Sequence, residues 1–339
     1  MFNVPDQRWK VIGSCALSKV TLASKSNIET RGTAQTVAVL LATYNGQAFI
    51  DDQLQSLLDQ THKNIDIYVS DDGSNDETLS ILWKWSEIWT KGNFIISSGR
   101  RSGFSENFRY LITTCKEGLY NGYFFCDQDD IWNVDKIERA LKLTGVANSE
   151  PVIYGTRTLL VDAAGQPIGL SPLFMRPKTF QNALVQSMAG GNTMMLNATA
   201  FAILSESARR TGFVSHDWWA YLVVTACGGR AIYDTEPSVL YRQHADNVVG
   251  KNNGIAASVR RVFALFSGRF RDWTRQNIKS LEACDDMLTP QARACLADFK
   301  AAHYATAPFG IASLRKSGVY RQSARSNVVL WFACAIGRL

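Results

Sequence analysis

Between residues 37 and 125 the hydrophobic positions follow two patterns in turn. Short runs of consecutive apolar residues are typical of strands buried on both faces of a sheet. They occur at Val37–Leu41, Ile65–Val69, Phe94–Ile96 and Tyr123–Phe125. Between these runs apolar residues recur at helical spacing, which predicts helices from Ile50, over Thr78 to Trp89, and around Asn107 to Cys115. Because strands that alternate with helices form βαβ units, the pattern predicts an α/β fold with a mainly parallel central sheet flanked by helices.

Polar motifs follow three of these predicted strands directly. They are Thr43–Asn45, Asp71–Asp76 and Asp127–Asp130. In open α/β sheets, ligands bind outside the carboxyl ends of the strands. We therefore expect the three motifs to line one shared crevice.

The third motif contains three carboxylates within four residues, Asp127, Asp129 and Asp130. Like charges this close repel each other unless a cation or hydrogen bonds compensate them. Oxygen ligands of this kind suit Mg²⁺ or Mn²⁺, and a solvated acidic turn is the alternative. The sequence contains no glycine-rich dinucleotide motif after the first strand and no P-loop motif, so neither of those nucleotide sites is supported.

Composition is that of a globular protein, because 46% of the 339 residues are hydrophobic and 19% are charged. The seven cysteines include no CxxC pair, which favours reduced thiols in a cytosol-like compartment. Charged residues interrupt the N-terminal region, and the longest apolar run, Val328–Ile336, is too short to cross a bilayer. We therefore expect a soluble cytoplasmic protein, or one held peripherally on the cytoplasmic face of the inner membrane.

The net charge of +6 is concentrated in one window, residues 251–279. This window contains seven basic residues and one acidic residue, Asp272. Aromatic residues such as Phe266 and Trp273 lie among them in the sequence. A basic and aromatic segment of this kind can lie on an anionic membrane surface. An ordinary helix with a solvated basic face is the alternative. We expect an anionic membrane, and no nucleic acid, as the partner of this segment.

Together the motifs resemble a known family. Val37–Asn45, Val69–Asp76 and Cys126–Trp132 resemble, in order and spacing, the nucleotide-sugar half of family 2 glycosyltransferases. The later segments Gly190–Asn197, His216–Trp219 and Tyr241–His244 resemble the rhamnosyltransferase branch of that family. The resemblance covers residues 36–250. It implies a GT-A fold, a nucleotide-diphosphate sugar donor, a divalent metal and an inverting transfer.

The same resemblance assigns residues to the donor and the metal. Donor or nucleotide contacts are implied for Thr43, Asn45, Asp71, Asp72, Arg101, Asn107, Asp127 and Gln128. Either Asp71 or Asp72, with Asp72 preferred, would accept hydrogen bonds from a pyrimidine base; a simple turn is the alternative for this motif. Metal ligands are implied at Asp127, Asp129 and His244, with Mg²⁺ or Mn²⁺ as the ion, although a lone histidine is more often structural.

The resemblance also implies a catalytic base and an acceptor side. Asp217 is the candidate base that takes the proton of the acceptor hydroxyl. Asp130 either contacts the sugar or acceptor, or caps a helix that starts near Trp132. Gly191 would let the backbone approach the junction of donor and acceptor, and Trp218 would form an apolar wall or pack in the core.

Three regions are expected along the chain. Residues 1–35 form a variable extension, residues 36–250 the catalytic domain (36–135 the nucleotide-sugar half, 136–250 the acceptor half), and residues 251–339 a basic, mostly helical region. The expected activity is metal-dependent transfer of a sugar, best guessed as L-rhamnose from dTDP-rhamnose, to a surface polysaccharide or lipid-linked glycan. The alternatives are a UDP-hexose donor, a nucleotidyltransferase, and a non-catalytic nucleotide-sugar-binding protein.

Overall fold

The computed structural model of the protein describes residues 35–145, 149–244 and 268–339. In chain order, its strands are Val37–Thr43 (β1), Ile65–Asp71 (β2), Phe94–Ser98 (β3), Gly122–Cys126 (β4), Ile131–Trp132 (β5), Val152–Thr156 (β6), Leu159–Val161 (β7), Pro167–Leu170 (β8), Met195–Leu196 (β9), Arg230–Asp234 (β10) and Val239–Arg242 (β11). All four strands predicted between residues 37 and 125 are present.

The helices alternate with these strands and then follow one another at the C-terminal end. They are Ile50–Leu58 (α1), Thr78–Ile88 (α2), Phe104–Thr114 (α3), Lys136–Thr144 (α4), Phe180–Ala183 (α5), Ala198–Arg210 (α6), His216–Ala226 (α7), Arg269–Glu282 (α8), Pro290–Tyr304 (α9), Phe309–Ser317 (α10) and Ala324–Ala335 (α11). The third helix begins slightly earlier than its apolar spacing predicted.

The central sheet has seven strands in the order β10-β6-β9-β4-β1-β2-β3. Its pairs are parallel except where the short strand β9 runs antiparallel to β4 and β6. The apolar run of β1 is fully buried because helices cover both faces of the sheet, which is the reason the run is continuous rather than alternating. The predicted α/β class with a mainly parallel sheet, a GT-A fold, is confirmed.

A second sheet, in the order β5-β11-β7-β8, lies beyond the carboxylate motif. It replaces the helix that we expected to start near Trp132. That tryptophan pairs with Val239 of β11 and is buried, and the next helix starts only at Lys136. The alternative that Asp130 caps this helix is therefore wrong.

One hydrophobic cluster joins the C-terminal helices to the central sheet. It contains Phe108 of α3, Trp219 of α7 and Tyr123 of β4 together with Phe299 of α9 and Leu330 of α11. The mostly helical character of the C-terminal region is confirmed over residues 268–339. Residues 1–34 and 245–267, which hold nearly all of the predicted extension and the first part of the basic window, lie outside the described residues. No helix in the described ranges combines the length and apolarity that a membrane span needs.

Candidate active site

The loops that follow β1, β2 and β4 meet at one edge of the central sheet. Register places Thr43 opposite Asp71, and Leu41 opposite Cys126. Thr43 Oγ donates a hydrogen bond to Asp71 Oδ2 at 2.9 Å. The three polar motifs therefore lie together, as parallel strands require.

Gln128 ties the loop after β4 to the loop after β1. Its Oε1 accepts from the amide of Tyr44 at 2.8 Å and its Nε2 donates to the carbonyl of Tyr44 at 2.9 Å. A Cβ atom on Gly46 would fall 2.4 Å from Gln128 Oε1, so the close approach requires glycine. Asn45, in the left-handed region with φ 48°, accepts from the Asn75 amide through Oδ1 and so joins the loop after β2.

Asp71 and Asp72 are both buried and both hold loops. Asp71 accepts from the amides of Gly73 and Ser74, which is the pattern of a turn. Asp72 Oδ2 accepts from the amide of Gly103 at 2.8 Å, and so fixes the loop before α3. Contact of either carboxylate with a pyrimidine base stays a prediction.

Arg101 and Asn107 have different surroundings. Arg101 is exposed, and its side chain lies against Gly73, whose Cβ would fall 2.6 Å from Nε. Asn107 is buried, and its side-chain amide forms two hydrogen bonds with Ser70. Nδ2 donates to the carbonyl of Ser70 at 2.8 Å, and Oδ1 accepts from its hydroxyl at 2.5 Å. These bonds join α3 to β2, and a donor contact for Asn107 stays a prediction. Arg101 lies at the rim, where phosphate contact stays a prediction.

Two of the three implied metal ligands are in direct contact. His244 Nε2 lies 2.7 Å from Asp129 Oδ2, and both side chains are largely buried. Two neighbouring ligands of a hard divalent cation with bonds of about 2.1 Å lie about 3 Å apart, so this spacing fits a shared ion. Within the described residues no group of three or more histidine, cysteine or acidic side chains is arranged so that it could hold a metal ion. Mg²⁺ is commonly held by one or two carboxylates together with substrate phosphates, so metal binding at Asp129 and His244 stays a prediction.

Asp127 lies within the field of two other carboxylates. Burial, together with the charges of Asp129 and Asp217, raises the pKa of Asp127 to about 7. Asp217 is in the first turn of α7 and is half-buried. The structure thus brings the candidate base and the candidate metal carboxylates to one site, and their mutual repulsion is the kind that a bound cation relieves.

Asp130 has different surroundings from the other carboxylates of the motif. It is fully buried, accepts from Asn192 Nδ2, and accepts from the backbone amide of Arg242 at 3.2 Å. Burial and the charges of Asp129 and Asp127 raise its pKa well above the ordinary value. The carboxyl group has no exposed surface for a sugar or acceptor in this structure, so a direct contact stays a prediction that would need movement.

Lys136 is a functional candidate that the sequence pattern did not indicate. Its ammonium is fully buried, 3.1 Å from the ring centroid of Trp132, and donates to the carbonyl of Asn192 at 2.7 Å. Burial lowers its pKa to about 7, although Asp130 and Asp127 act in the opposite direction. A titratable amine therefore lies buried next to the carboxylate motif. The only sequence signal is a lysine in a first helical turn just after a buried tryptophan, and lysines at such positions are usually solvated.

Arg242 is the second residue that was missed. It is buried, donates to the carbonyl of Asp129 at 3.1 Å, and forms an ion pair with Asp52 at 2.9 Å. It therefore fixes the backbone of the motif from the second sheet. Its place next to the Gln-His pair of the recognised segment was the available signal.

The residues around Asp217 form a packed floor. Trp218 Nε1 donates to the carbonyl of Ala183 at 2.6 Å, and both Trp218 and Trp219 are buried in the core. An apolar wall for an acceptor ring at Trp218 is therefore contradicted, and core packing is what the structure shows. The imidazole of His216 stacks on Phe108 with centroids 3.6 Å apart. A Cβ on Gly191 would fall 2.1 Å from His216 Nε2, so this glycine makes room for the imidazole.

The fold and site define a class of protein, an α/β transferase of the GT-A type. Residues 38–158 match the family model described as glycosyl transferase family 2, so this part of the chain is a family 2 glycosyltransferase domain. A dTDP-rhamnosyl transferase, RfbG of Shigella flexneri, is 29% identical over 230 residues, which cover 66% of this chain and 78% of the relative. A glucosyltransferase of Escherichia coli, WfaP, named for transfer from UDP-Glc to alpha-D-GlcNAc-diphosphoundecaprenol, is 30% identical over 138 residues, which cover 35% of this chain and 54% of the relative.

Solved structures with similar coordinates were also found. TarS of S. aureus in complex with UDP superposes with a TM-score of 0.49 at 16% identity, covering 84% of this chain and 90% of that one. The mannosyltransferase PcManGT of Pyrobaculum calidifontis, in complex with GDP-Man and Mn²⁺, has a TM-score of 0.47 at 16% identity, covering 91% of this chain and 88% of that one.

Proposed function

We propose that the protein is an inverting, metal-dependent glycosyltransferase that moves L-rhamnose from dTDP-rhamnose to a growing surface polysaccharide or a lipid-linked glycan. One observation carries the chemistry: Asp127, Asp129, Asp217 and His244 lie at one edge of the sheet, close enough that Asp129 contacts His244 and that the charges of Asp129 and Asp217 raise the pKa of Asp127. The donor sugar is supported by the named activity of the S. flexneri relative.

In this proposal Asp129 and His244, with Asp127 beside them, hold Mg²⁺ or Mn²⁺ against the donor diphosphate. The ion would neutralise the charge that develops on the departing nucleoside diphosphate. Lys136 and Arg242 support the motif: Lys136 places a buried amine near Asp127 and Asp130, and Arg242 fixes the backbone at Asp129. These groups orient the motif before any donor binds.

Asp217 takes the proton of the acceptor hydroxyl while that hydroxyl attacks the anomeric carbon from the face opposite the leaving group. One carboxylate suffices for inversion in a single displacement. The position of Asp217 on the first turn of a helix, close to Asp127, supports this role because the acceptor must meet the sugar beside the metal carboxylates.

A UDP-hexose is the alternative donor, and it is favoured by the named activity of the E. coli relative. Both donors present a pyrimidine base and a diphosphate, so the carboxylate motif serves either. The choice depends on groups that contact the sugar.

The test is to replace Asp129 by Asn and to compare it with Asp135→Asn. Asp135 is an exposed carboxylate six residues further along the chain, before α4, with no side-chain capping bond, which makes it a matched control. We expect Asp129→Asn to reduce metal-dependent transfer or donor hydrolysis by about a hundredfold or more. We expect Asp135→Asn to retain the wild-type rate.

Calorimetry with dTDP-rhamnose, UDP-glucose and GDP-mannose, with and without Mg²⁺ or Mn²⁺, identifies the donor. Binding of dTDP-rhamnose that strengthens with metal supports the proposal, and preferential binding of UDP-glucose replaces its donor with the alternative. Full activity of Asp129→Asn, or affinity for donors that is equal with and without metal, would show that the metal role is wrong.

A further inference from the structure

The last helix, α11, presents an apolar stripe to solvent. We define the α11 stripe as Val328, Phe332 and Ile336, which are 70%, 54% and 44% exposed. Their spacing of four residues places them on one face of the helix. Leu330 and Cys334, on the other face, are buried in the core. The helix is therefore apolar on both sides, although only one side is buried.

The stripe continues toward the start of α10. Gly337 lies beside Thr306, because a Cβ on the glycine would fall 3.2 Å from Thr306 Cγ2. Phe309, three residues further along, is 77% exposed. Single exposed apolar side chains are ordinary, but a contiguous group of large ones marks an interaction surface.

The segment of the chain that carries the stripe is basic. Residues 299–339 contain six basic residues and no acidic residue. They are Lys300, Arg315, Lys316, Arg321, Arg325 and Arg338. Lys300 and Lys316 pair with acids of earlier helices, Glu282 and Asp298. Arg325 is exposed on the first turn of α11, three residues before Val328, and therefore extends the stripe with a cation.

A groove of about 520 Å³ opens between α11 and the segment that precedes it. Arg176 and Arg315 line it together with apolar side chains such as Leu314 and Trp331. Guanidinium groups at the border of an apolar surface suit phosphate groups whose attached chains are apolar. The groove, like the surroundings of the stripe, therefore combines apolar side chains with basic ones.

We propose that α11 lies in the interface of a membrane that contains anionic lipids, with the stripe at the acyl-chain boundary and Arg315 and Arg325 among the headgroups. An apolar helix face bordered by basic residues binds such a surface through burial and charge together. A second copy of the chain fits this face less well, because it would bring two sets of basic residues together without acids between them. The role of this contact, to bring the site to a lipid-linked acceptor, rests on the proposed function. It differs from the contact expected at residues 251–279, since α11 lies outside that window.

The experiment measures co-sedimentation with vesicles of phosphatidylcholine alone and with vesicles that also contain phosphatidylglycerol. The double variant Val328→Ser, Phe332→Ser removes most of the stripe, and Ile88→Ser, at an exposed position of α2, makes the same kind of change elsewhere. We expect wild type and Ile88→Ser to bind the anionic vesicles equally. We expect the double variant to bind them at least about tenfold more weakly.

Arg315→Gln with Arg325→Gln tests the charge. We expect it to weaken binding to anionic vesicles and to remove much of the salt dependence, without an effect on neutral vesicles. The proposal is overturned if the double serine variant binds like wild type, or if the wild type binds neither vesicle. It is also overturned if light scattering shows a dimer that the serine variant abolishes, since a second copy would then cover the stripe.

Metal-dependent donor hydrolysis in solution is measured on the same variants and separates this inference from the proposed function. We expect it to be unchanged, because none of the residues of the stripe is among the candidate site residues. If the wild type hydrolyses no donor, the proposed function is wrong. The vesicle result does not depend on that outcome.

Discussion

His216 has no hydrogen-bond partner for either ring nitrogen in the described structure, and burial lowers its pKa to about 4. Between pH 6.5 and about 4 the unfolded chain therefore binds a proton that the folded chain does not. Because of this difference, the free energy of unfolding falls as the pH falls through that window. We expect His216 to contribute a loss of about 3 kcal/mol by pH 4. Urea unfolding of wild type and His216→Leu at pH 7 and pH 4 measures it.

The leucine variant cannot titrate, so its unfolding free energy should change less between the two pH values. An equal pH dependence in both proteins would show that His216 is protonated in the folded state or is hydrated there.

Single residues also show the limits of the sequence pattern. It placed the carboxylates Asp127 and Asp129 at the edge of the sheet, because strand ends and polar positions are visible in a linear sequence. It missed Lys136, because a long charged side chain is usually solvated and only the packed structure shows Trp132 and Asn192 around its ammonium. The sequence pattern also did not show that the amide of Asn107 bonds to the backbone of Ser70.

At the scale of elements, the loops after β1 and β4 are one mechanical unit, because Gln128 bonds both backbone groups of Tyr44 across the space that Gly46 leaves open. We expect Gly46→Ala to displace Gln128 and to cost about 1–2 kcal/mol of stability, with weaker donor binding. Gln128→Ala frees that space, so the double variant should be little worse than Gln128→Ala alone. A double-mutant cycle of unfolding free energies measures the coupling.

Gly212→Ala is the matched control for the cycle, because its Cβ would lie 3.7 Å from the nearest side-chain atom, an ordinary contact. Its effect should add to that of Gln128→Ala. Additivity in the Gly46 cycle as well would mean that the loop adjusts without displacing the glutamine.

The elements of the first half were predictable because each strand is a continuous apolar run with a helix after it. The second sheet was not. Strands such as β5, two residues long, carry too little pattern to be distinguished from a helix start, and their pairing with β11 joins residues more than a hundred positions apart. Half of the site, including His244 and Arg242, depends on that long-range pairing.

At the scale of the whole molecule, the C-terminal helices share a hydrophobic cluster with the catalytic sheet. The division at residue 250 therefore remains a prediction about sequence and activity, and we expect it not to be a division of folding. Unfolding in urea, followed by circular dichroism and by tryptophan fluorescence, should give one coincident transition. Tryptophans in both parts, such as Trp219 and Trp331, report on it.

A chain that ends at residue 244 should fail to fold cooperatively, because it would expose the face that Phe299 and Leu330 cover. A sharp transition in that shortened chain, or two separate transitions in the full one, would show two independent cores.

This shared core also has a consequence for the order in which the protein is made. The ribosome synthesises β1 to α7 first, so the apolar face around Trp219 stays uncovered until residues 268–339 have emerged. The helix that bears Asp217 begins three residues before that tryptophan. We therefore expect the candidate active site to reach its folded form late, after its own residues have been synthesised.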